Sequence, residues 1–498
     1  MQTINDAISW WARVQPDNIA LDFRTDKVSF SELHDWSLQI ATELIGRGLE
    51  PGDRVGICSG NSLSYCALIF GIMRAGGIVL PLNMRYTSHE LAEILEDTTP
   101  RFVFADEERI SKFEALNVKA FPLEDVDRVR GGSAAIPGYQ LEQDSPVVII
   151  STSGSTAKPK GVVFTHRTMT GYVASAGIED ASLSAGSRVI VPAPLSTSAG
   201  FVQLIHYSLL GCTLFFLPVF EPKLFLQVLL EEKINGFGAV PVFFEAISKL
   251  PEFETADFSN ITMATSGGAP VTQDLQDIWM KKGIVVRQIY GQTECGGNAT
   301  IMPTELAKKQ PQKCGMGGLF NEIKIVDDSG NEVPPNTVGE IIMRGPGNMV
   351  GYWNNPEATA ETRKNGWIYS GDLGTIDEDG LLTFVDRKKD VIISGGLNIA
   401  AAEVERTVLA FPGVEECMVI AAKDKKFGET PMAVIHASSE IDVSALISHC
   451  NERLADYKVP RYVAFEDAPL PRTATGKVHK PTMREKYANA SDQLPRVR

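Results

Sequence analysis

The chain has 498 residues, ordinary apolar content and a net charge of −15. That length allows two to four domains with buried cores. The carboxylate excess argues against non-specific binding to nucleic acid or anionic membrane surfaces, while leaving room for a local cationic site. Seven cysteines, at 58, 66, 212, 295, 314, 417 and 450, are scattered, odd in number and free of any CxxC pair. This fits a reducing, cytoplasmic setting and offers no zinc site.

The first twenty residues, MQTINDAISWWARVQPDNIA, lack a cationic start followed by an apolar run, so no signal peptide is read. SFSELHDWSLQIATELIGRGLEPGDRV opens on a capping residue, repeats apolar positions at helical spacing and stops at Gly48. VGICSG reads as a buried strand, NSLSYCALIFGIMRAGG as a helix and IVLPLN as another strand. ALIFGIMRAGGIVLPL is broken by Arg74 and two glycines, and LLGCTLFFLPVF is too short to cross a bilayer, so both are expected in the core.

Strand, helix, strand recurs near 189–220 and 237–265, which predicts an α/β fold of layered, largely parallel sheets. After about residue 320 two strand meanders follow, EIKIVDDSGNEVPPNTVGEIIMRG and GWIYSGDLGTIDEDGLLTFVDRKKDVII. AAEVERTVLAFPGVEECMVIAAKD then restarts the helix–strand pattern. A boundary is placed near Lys389, giving domains 1–388 and 389–498, the second a smaller α+β unit. The tail NASDQLPRVR is expected to be disordered.

VVIISTSGSTAKPKGVVFTH, residues 147–166, poses the first chemical question. Ser/Gly/Thr-rich stretches are commonly linkers. Here two apolar strands pin the loop's ends, and Lys158 and Lys160 sit among residues of little bulk. Small residues let backbone N–H groups approach an anion, and lysine adds charge. The stretch is no Walker A loop, because Pro159 stands where the second glycine belongs and a strand follows. It reads as either a linker or a hairpin-like phosphate clamp.

QIYGQTECGGN, residues 288–298, follows a strand-like GIVVRQ. It is either a plain turn or an active edge, with Tyr290 stacking on a nucleobase, Thr293 donating to a phosphate and Glu294 holding Mg²⁺. In YSGDLG, Asp372 is a turn-former or an acceptor for vicinal ribose hydroxyls, and a strand return would bring Arg387 near it. Lys477, in PRTATGKVHK, reads by itself as a solvated lysine in a turn.

TSGSTAKPKG, YGQTE, YSGDLG, DRKKDVIISGG, AAEVE and PRTATGKVHK, in this order over roughly residues 25–485, resemble the adenylate-forming superfamily of acyl-CoA synthetases, peptide-synthetase adenylation domains and firefly luciferase. The resemblance implies a large N-terminal domain with a β subdomain and a small mobile C-terminal domain. It implies activation of a carboxylic acid by ATP and Mg²⁺ to an acyl-adenylate, followed by transfer to coenzyme A.

By position, Thr152, Ser153, Gly154, Ser155, Thr156, Lys158 and Lys160 would hold the β- and γ-phosphates. Gly268, Ala269, Pro270, Tyr290, Gly291 and Gln292 would border the nucleotide, Thr293 would touch the α-phosphate, and Glu294 the Mg²⁺. Asp372 and Arg387 would bind ribose, Lys477 would bridge carboxylate and α-phosphate, Lys389 would be the hinge, and Gly395 and Gly396 would border the pantetheine arm.

Thr197, Phe201, Val242, Phe243, Phe244, Ser266, Gly267 and Gly291 would line the acid pocket; none is cationic, which favours a neutral-tailed fatty or aromatic acid. The chain departs from the family pattern at Ala157, at Ser196 and Thr197 in place of a Phe–His pair, and at Leu397 and Ala401. Loading of a carrier protein and a luciferase-like oxygenase are the alternative activities. A homodimer is one option for assembly, and neither nucleic acid nor a transmembrane segment is expected.

Overall fold

A computed structural model describes residues 3–135, 140–152, 159–424, 426–472 and 478–498. By compactness the chain divides into two units, one of Met1–Ile323, Ile342–Tyr369 and Gly380–Leu382, the other of Lys324–Ile341, Ser370–Asp379 and Thr383–Arg498. The second therefore joins segment 389–498 to strand segments that precede it in the chain.

The helix expected after residue 29 spans Phe30–Gly46. Ser29 caps it: Oγ accepts from the Glu32 N–H at 3.2 Å, and the Glu32 carboxylate accepts from the Ser29 N–H at 2.8 Å. Helix Leu63–Arg74 is buried along nearly its whole length. A side chain at Gly71 would place Cβ 2.4 Å from Ile40, so glycine allows the two helices to meet. Among the described residues no helix is long and apolar enough to cross a membrane.

Two seven-stranded sheets organise the first unit. One orders Arg287–Gln288, Met263–Ser266, Gly236–Ala239, Arg188–Val191, Thr213–Phe216 and Ile19–Asp22 in parallel, with Lys27–Ser29 antiparallel at the edge. Only two residues of the strand-like GIVVRQ pair as a strand. The other orders Gly351–Tyr352, Lys160–Thr165, Pro146–Thr152, Ile78–Pro81, Arg54–Cys58, Phe102–Ala105 and Ala120–Pro122. Its first two pairings are antiparallel, and the rest are parallel. Glycine-rich stretches thus leave strands at the edges where ligands bind in such folds.

A five-stranded sheet contains both predicted meanders, ordering Glu322–Val326, Gly339–Arg344, Trp367–Ile376 and Arg363–Lys364, with Leu382–Arg387 also on Trp367–Ile376. In the second unit the hairpin Val414–Asp424 and Gly428–Ala437 is joined by Tyr462–Glu466, which runs parallel to the latter. Period-two alternation divides its core. Cys417, Val419, Ala433 and Ile435 pack with Val404, Val408 and Leu446, while Met418, Ile420, Met432 and Val434 pack with Tyr462 and Met483.

The tail expected to be disordered is ordered. It forms helix Ala490–Gln493, Ala490 is 1% exposed, and the Val497 N–H donates to the Arg461 carbonyl at 3.0 Å. Ala490, Leu494 and Val497 pack against the core clusters, and Arg496 pairs with Asp424 at 3.3 Å. Sparse apolar residues suffice because the sheet supplies the other half of each contact.

Candidate functional site

The glycine-rich loop closes an antiparallel hairpin, with Thr152 opposite Lys160. Thr152 Oγ1 donates to the Lys160 carbonyl at 3.3 Å. Ser153, Gly154, Ser155, Thr156 and Lys158, together with the departure at Ala157, lie outside the described residues. Strand Gly351–Tyr352 pairs with the outer strand of the hairpin, Tyr352 opposite Val162.

This register puts the Tyr352 ring beneath the Lys160 ammonium, 5.1 Å from Nζ to the ring centroid. Tyr352 Oη donates to Glu294 Oε1 at 2.8 Å. The Met349 N–H donates to the Glu294 carbonyl at 2.9 Å, and the Val350 N–H to the Val163 carbonyl at 3.0 Å. One short segment therefore ties the strand after the glycine-rich loop to the GQTE turn. Burial, reinforced by the Glu294 carboxylate, pushes the Tyr352 phenol above its ordinary range, so it remains a donor at neutral pH. Sequence reading missed Tyr352; no local signal in GYWNNPE announces it.

Tyr290 is buried, and its carbonyl accepts from the Ala299 and Thr300 N–H groups at 2.9 and 3.2 Å, closing the turn. A side chain at Gly291 would put Cβ 2.1 Å from the Gly297 carbonyl, so glycine there serves loop closure. Thr293–Cys295 forms one 3₁₀ turn. Inside it the Cys295 thiol donates to the Gln292 and Gly297 carbonyls, and burial pushes it up to about 11, which keeps it a neutral structural donor. Among the described residues, Gln292 Nε2 and Ser266 Oγ are buried without hydrogen-bond partners. Residues 267–270 leave the strand Met263–Ser266, with Gly268 at φ +80°.

Thr197 caps helix Ser198–Leu210: Oγ1 accepts from the Gly200 N–H at 3.2 Å and donates to the Pro194 carbonyl at 2.7 Å. The remaining acid-pocket candidates diverge. Phe201 is fully buried, Val242 is 59% exposed, and Phe243 stacks on Phe220 with centroids 3.6 Å apart. Phe244 is a core residue, its ring 5.0 Å from Phe237 and 5.2 Å from Trp279.

In the second unit Arg387 Nε lies 3.7 Å from Asp372 Oδ1, bringing together two residues fifteen apart in sequence. The Asp372 N–H donates to Ser370 Oγ at 3.0 Å, and the Gly371 N–H to Glu340 Oε1 at 3.0 Å, which sets the turn. Lys388 pairs with Asp328 and Glu340 at 2.8 and 3.2 Å. Burial, then the neighbouring Arg387 charge, holds the Lys389 ammonium below the usual lysine range.

Gly395 and Gly396, at φ +58° and +83°, turn the chain between Ile392–Ser394 and Leu397–Ile399. A two-residue hairpin turn with positive φ at both positions requires such residues. Leu397 is half exposed, and Ala401 is buried at the start of helix Ala401–Leu409. Lys477 lies outside the described residues.

Among the described residues no cluster of three His, Cys, Asp or Glu could hold a metal by itself. Magnesium carried on nucleotide phosphates needs only one or two protein carboxylates, and Glu294, steadied on one oxygen by Tyr352, fits that demand. All seven cysteines are free and buried.

The AMP-binding enzyme family matches residues 8–353, and the AMP-binding enzyme C-terminal domain matches residues 403–477. A feruloyl-CoA synthase of Amycolatopsis sp is 33% identical over 97% of this chain and 99% of its own. The long-chain-fatty-acid–CoA ligase FadD13 of Mycobacterium tuberculosis is 32% identical over 93% of each. An o-succinylbenzoate coenzyme A synthetase from Bacillus subtilis, solved in complex with ATP and magnesium ion, superposes with a TM-score of 0.87 at 28% identity, over 95% of this chain and 98% of that one.

Proposed function

The chain belongs to the AMP-binding enzyme family, whose members here are AMP-forming acyl-CoA ligases, and from that premise we propose a two-step conversion of a neutral-tailed carboxylic acid into its CoA thioester. The observation that carries the proposal is the tie of Lys160, Tyr352 and Glu294, a cation and a carboxylate held beside one glycine-rich hairpin.

In the first step a carboxylate oxygen bonds to the α-phosphorus of ATP, and pyrophosphate leaves. Two anions must meet, so positive charge has to cancel their repulsion. Lys477 is assigned to that place, and no general base is needed because the acid is already ionised at neutral pH. Lys160 and the loop residues Thr152–Lys158 are assigned to the departing phosphates, and Thr293 to the α-phosphate. When bound, Mg²⁺ supplies Lewis-acid neutralisation at the phosphoryl oxygens, with Glu294 as its protein ligand. Asp372 and Arg387 are assigned to the ribose hydroxyls. The two side chains already lie 3.7 Å apart, so both can reach one sugar.

In the second step the thiol sulfur bonds to the acyl carbon, AMP leaves, and the thiol proton passes to solvent. Lys389, at the proposed boundary between 1–388 and 389–498, is assigned the hinge that withdraws Lys477. Gly395 and Gly396 border the thiol's path.

Lys477→Ala should lower adenylate formation about 10²–10³-fold. It should spare thioester formation from a synthetic acyl-adenylate; equal loss in both half-reactions would overturn the assignment. Pyrophosphate release across a panel of acids tests the neutral tail, which robust malonate turnover beside weak octanoate and benzoate turnover would contradict.

A further inference from the structure

Gln203 lies on helix Ser198–Leu210, about one and two-thirds turns beyond the cap at Thr197. Its Nε2 donates to the Gly238 carbonyl at 3.3 Å. That bond fixes the amide's orientation, because only the NH₂ group can donate to a carbonyl. Oε1 therefore points away from Gly238, and it is buried with no hydrogen-bond partner among the described residues. The side chain as a whole is only partly buried, so the shielded acceptor sits on a residue that keeps open surface.

The amide's position bears on the acid. Gly238 is the penultimate residue of strand Gly236–Ala239, whose carboxyl end leads into helix Pro241–Ser248 and the candidates Val242 and Phe243. Gly238 stands opposite Thr265, the residue before Ser266 and Gly267. The helix carrying Gln203 follows strand Arg188–Val191 and precedes its parallel neighbour Thr213–Phe216. It therefore runs antiparallel to the strands, and each turn carries the side chains farther from the edge where the carboxylate is activated. Gly238 also keeps the amide's place open. A Cβ there would lie 2.9 Å from Thr265 Oγ1 and 3.4 Å from Gln203 Nε2.

Buried polar groups are overwhelmingly hydrogen-bonded, so an orphaned acceptor among ligand-facing elements calls for a donor brought by the ligand. We infer that the acid bears a hydroxyl donor at its end remote from the carboxylate, and that Gln203 Oε1 accepts from it. Gln203 is then a specificity-determining residue of the acid site. The inference rests on the acid-pocket assignment above and narrows it: the tail is neutral but not wholly apolar. Both a hydroxyaryl acid and an ω-hydroxy fatty acid carry this chemistry.

The test compares kcat/KM within two isosteric pairs, 4-hydroxycinnamate against 4-methylcinnamate and 12-hydroxydodecanoate against tridecanoate. The wild-type enzyme should favour the hydroxyl member of one pair by about 10- to 100-fold, and the pair that responds identifies the scaffold. Gln203→Leu should collapse that ratio to within about threefold through the KM for the acid, with the KM for ATP unmoved. A ratio near one in both wild-type pairs overturns the inference without needing any variant, and so does a preference that survives Gln203→Leu. Both results leave the ligase reading standing if pyrophosphate is released, whereas no release with any acid would sink that reading and this one together.

Discussion

The hairpin site of the first unit and the Asp372 turn of the second are held in different ways. At the hairpin, a buried tyrosine donates to Glu294 at 2.8 Å while its ring lies beneath Lys160. At the turn, a half-exposed arginine approaches a mostly buried aspartate at 3.7 Å. A short, partly buried charge-assisted hydrogen bond fixes geometry, whereas a long, half-exposed ion pair contributes less. The same contrast extends to the cores. The first unit packs aromatic rings such as Phe244 and Trp279 edge to face, while the second supplements its sheet with ion pairs such as Arg484–Asp390 at 2.7 Å.

The strongest way to break this contrast is in the aromatic core. Phe244→Ala should destabilise the first unit by about 3–5 kcal/mol, seen as a lower urea midpoint with an unchanged slope, because Trp279 and Phe237 lose their partner. A loss below about 1 kcal/mol would mean the cluster is not the load it is taken for.

Next comes the acid limb of stability. His166 is 1% exposed, its Nδ1 accepts from the Ile4 N–H at 3.3 Å, and burial lowers it to about 4 from an ordinary 6.5. The unfolded chain therefore binds a proton on this ring between pH 6.5 and 4, where the folded one does not. The stabilisation is fully present above pH 6.5 and is lost as pH falls toward 4, about 3 kcal/mol in all. His166→Gln should flatten that limb, and an unchanged pH profile of the denaturation midpoint would refute the assignment.

In the second unit Asp390→Ala should cost about 1–3 kcal/mol. It removes the partner of Arg484, and Lys480 retains Glu405 at 2.8 Å. Calorimetric unfolding would check both the size and a smaller effect than in the aromatic core.

The smallest effect sharpens the site itself. Tyr352→Phe keeps the ring under Lys160 but frees Glu294. It should raise the Mg²⁺ concentration needed for tight ATP binding about tenfold, measured by titration calorimetry at several Mg²⁺ levels. ATP affinity without Mg²⁺ should be unchanged; an equal loss with and without the metal would show that Tyr352 acts on the nucleotide and not through Glu294.

Much of this architecture was legible from residue order, and the exceptions are instructive. The 152–160 hairpin followed from two apolar runs around small residues, and the Asp372–Arg387 approach followed from a strand return. The acid pocket was harder, because adjacent helical residues face directions about 100° apart. Val242 is exposed, Phe243 is stacked on Phe220, and Phe244 is buried, so positional carry-over could not separate wall from core. The tail was misjudged because Ala490, Leu494 and Val497 carry little apolar weight until a sheet meets them.

Local pattern by itself determined the strands, caps and turns, since periodicity, Ser29 and the paired Gly395 and Gly396 act over a few residues. It also determined the family, through short stretches whose chemistry demands small residues and charges at set intervals. Only the tertiary structure decided that Tyr352 would lie between Lys160 and Glu294, and that Gln203 would spend one amide atom on Gly238 and leave the other unused. Strand register and helix packing join residues far apart in sequence, and no local preference encodes which atoms such pairings satisfy.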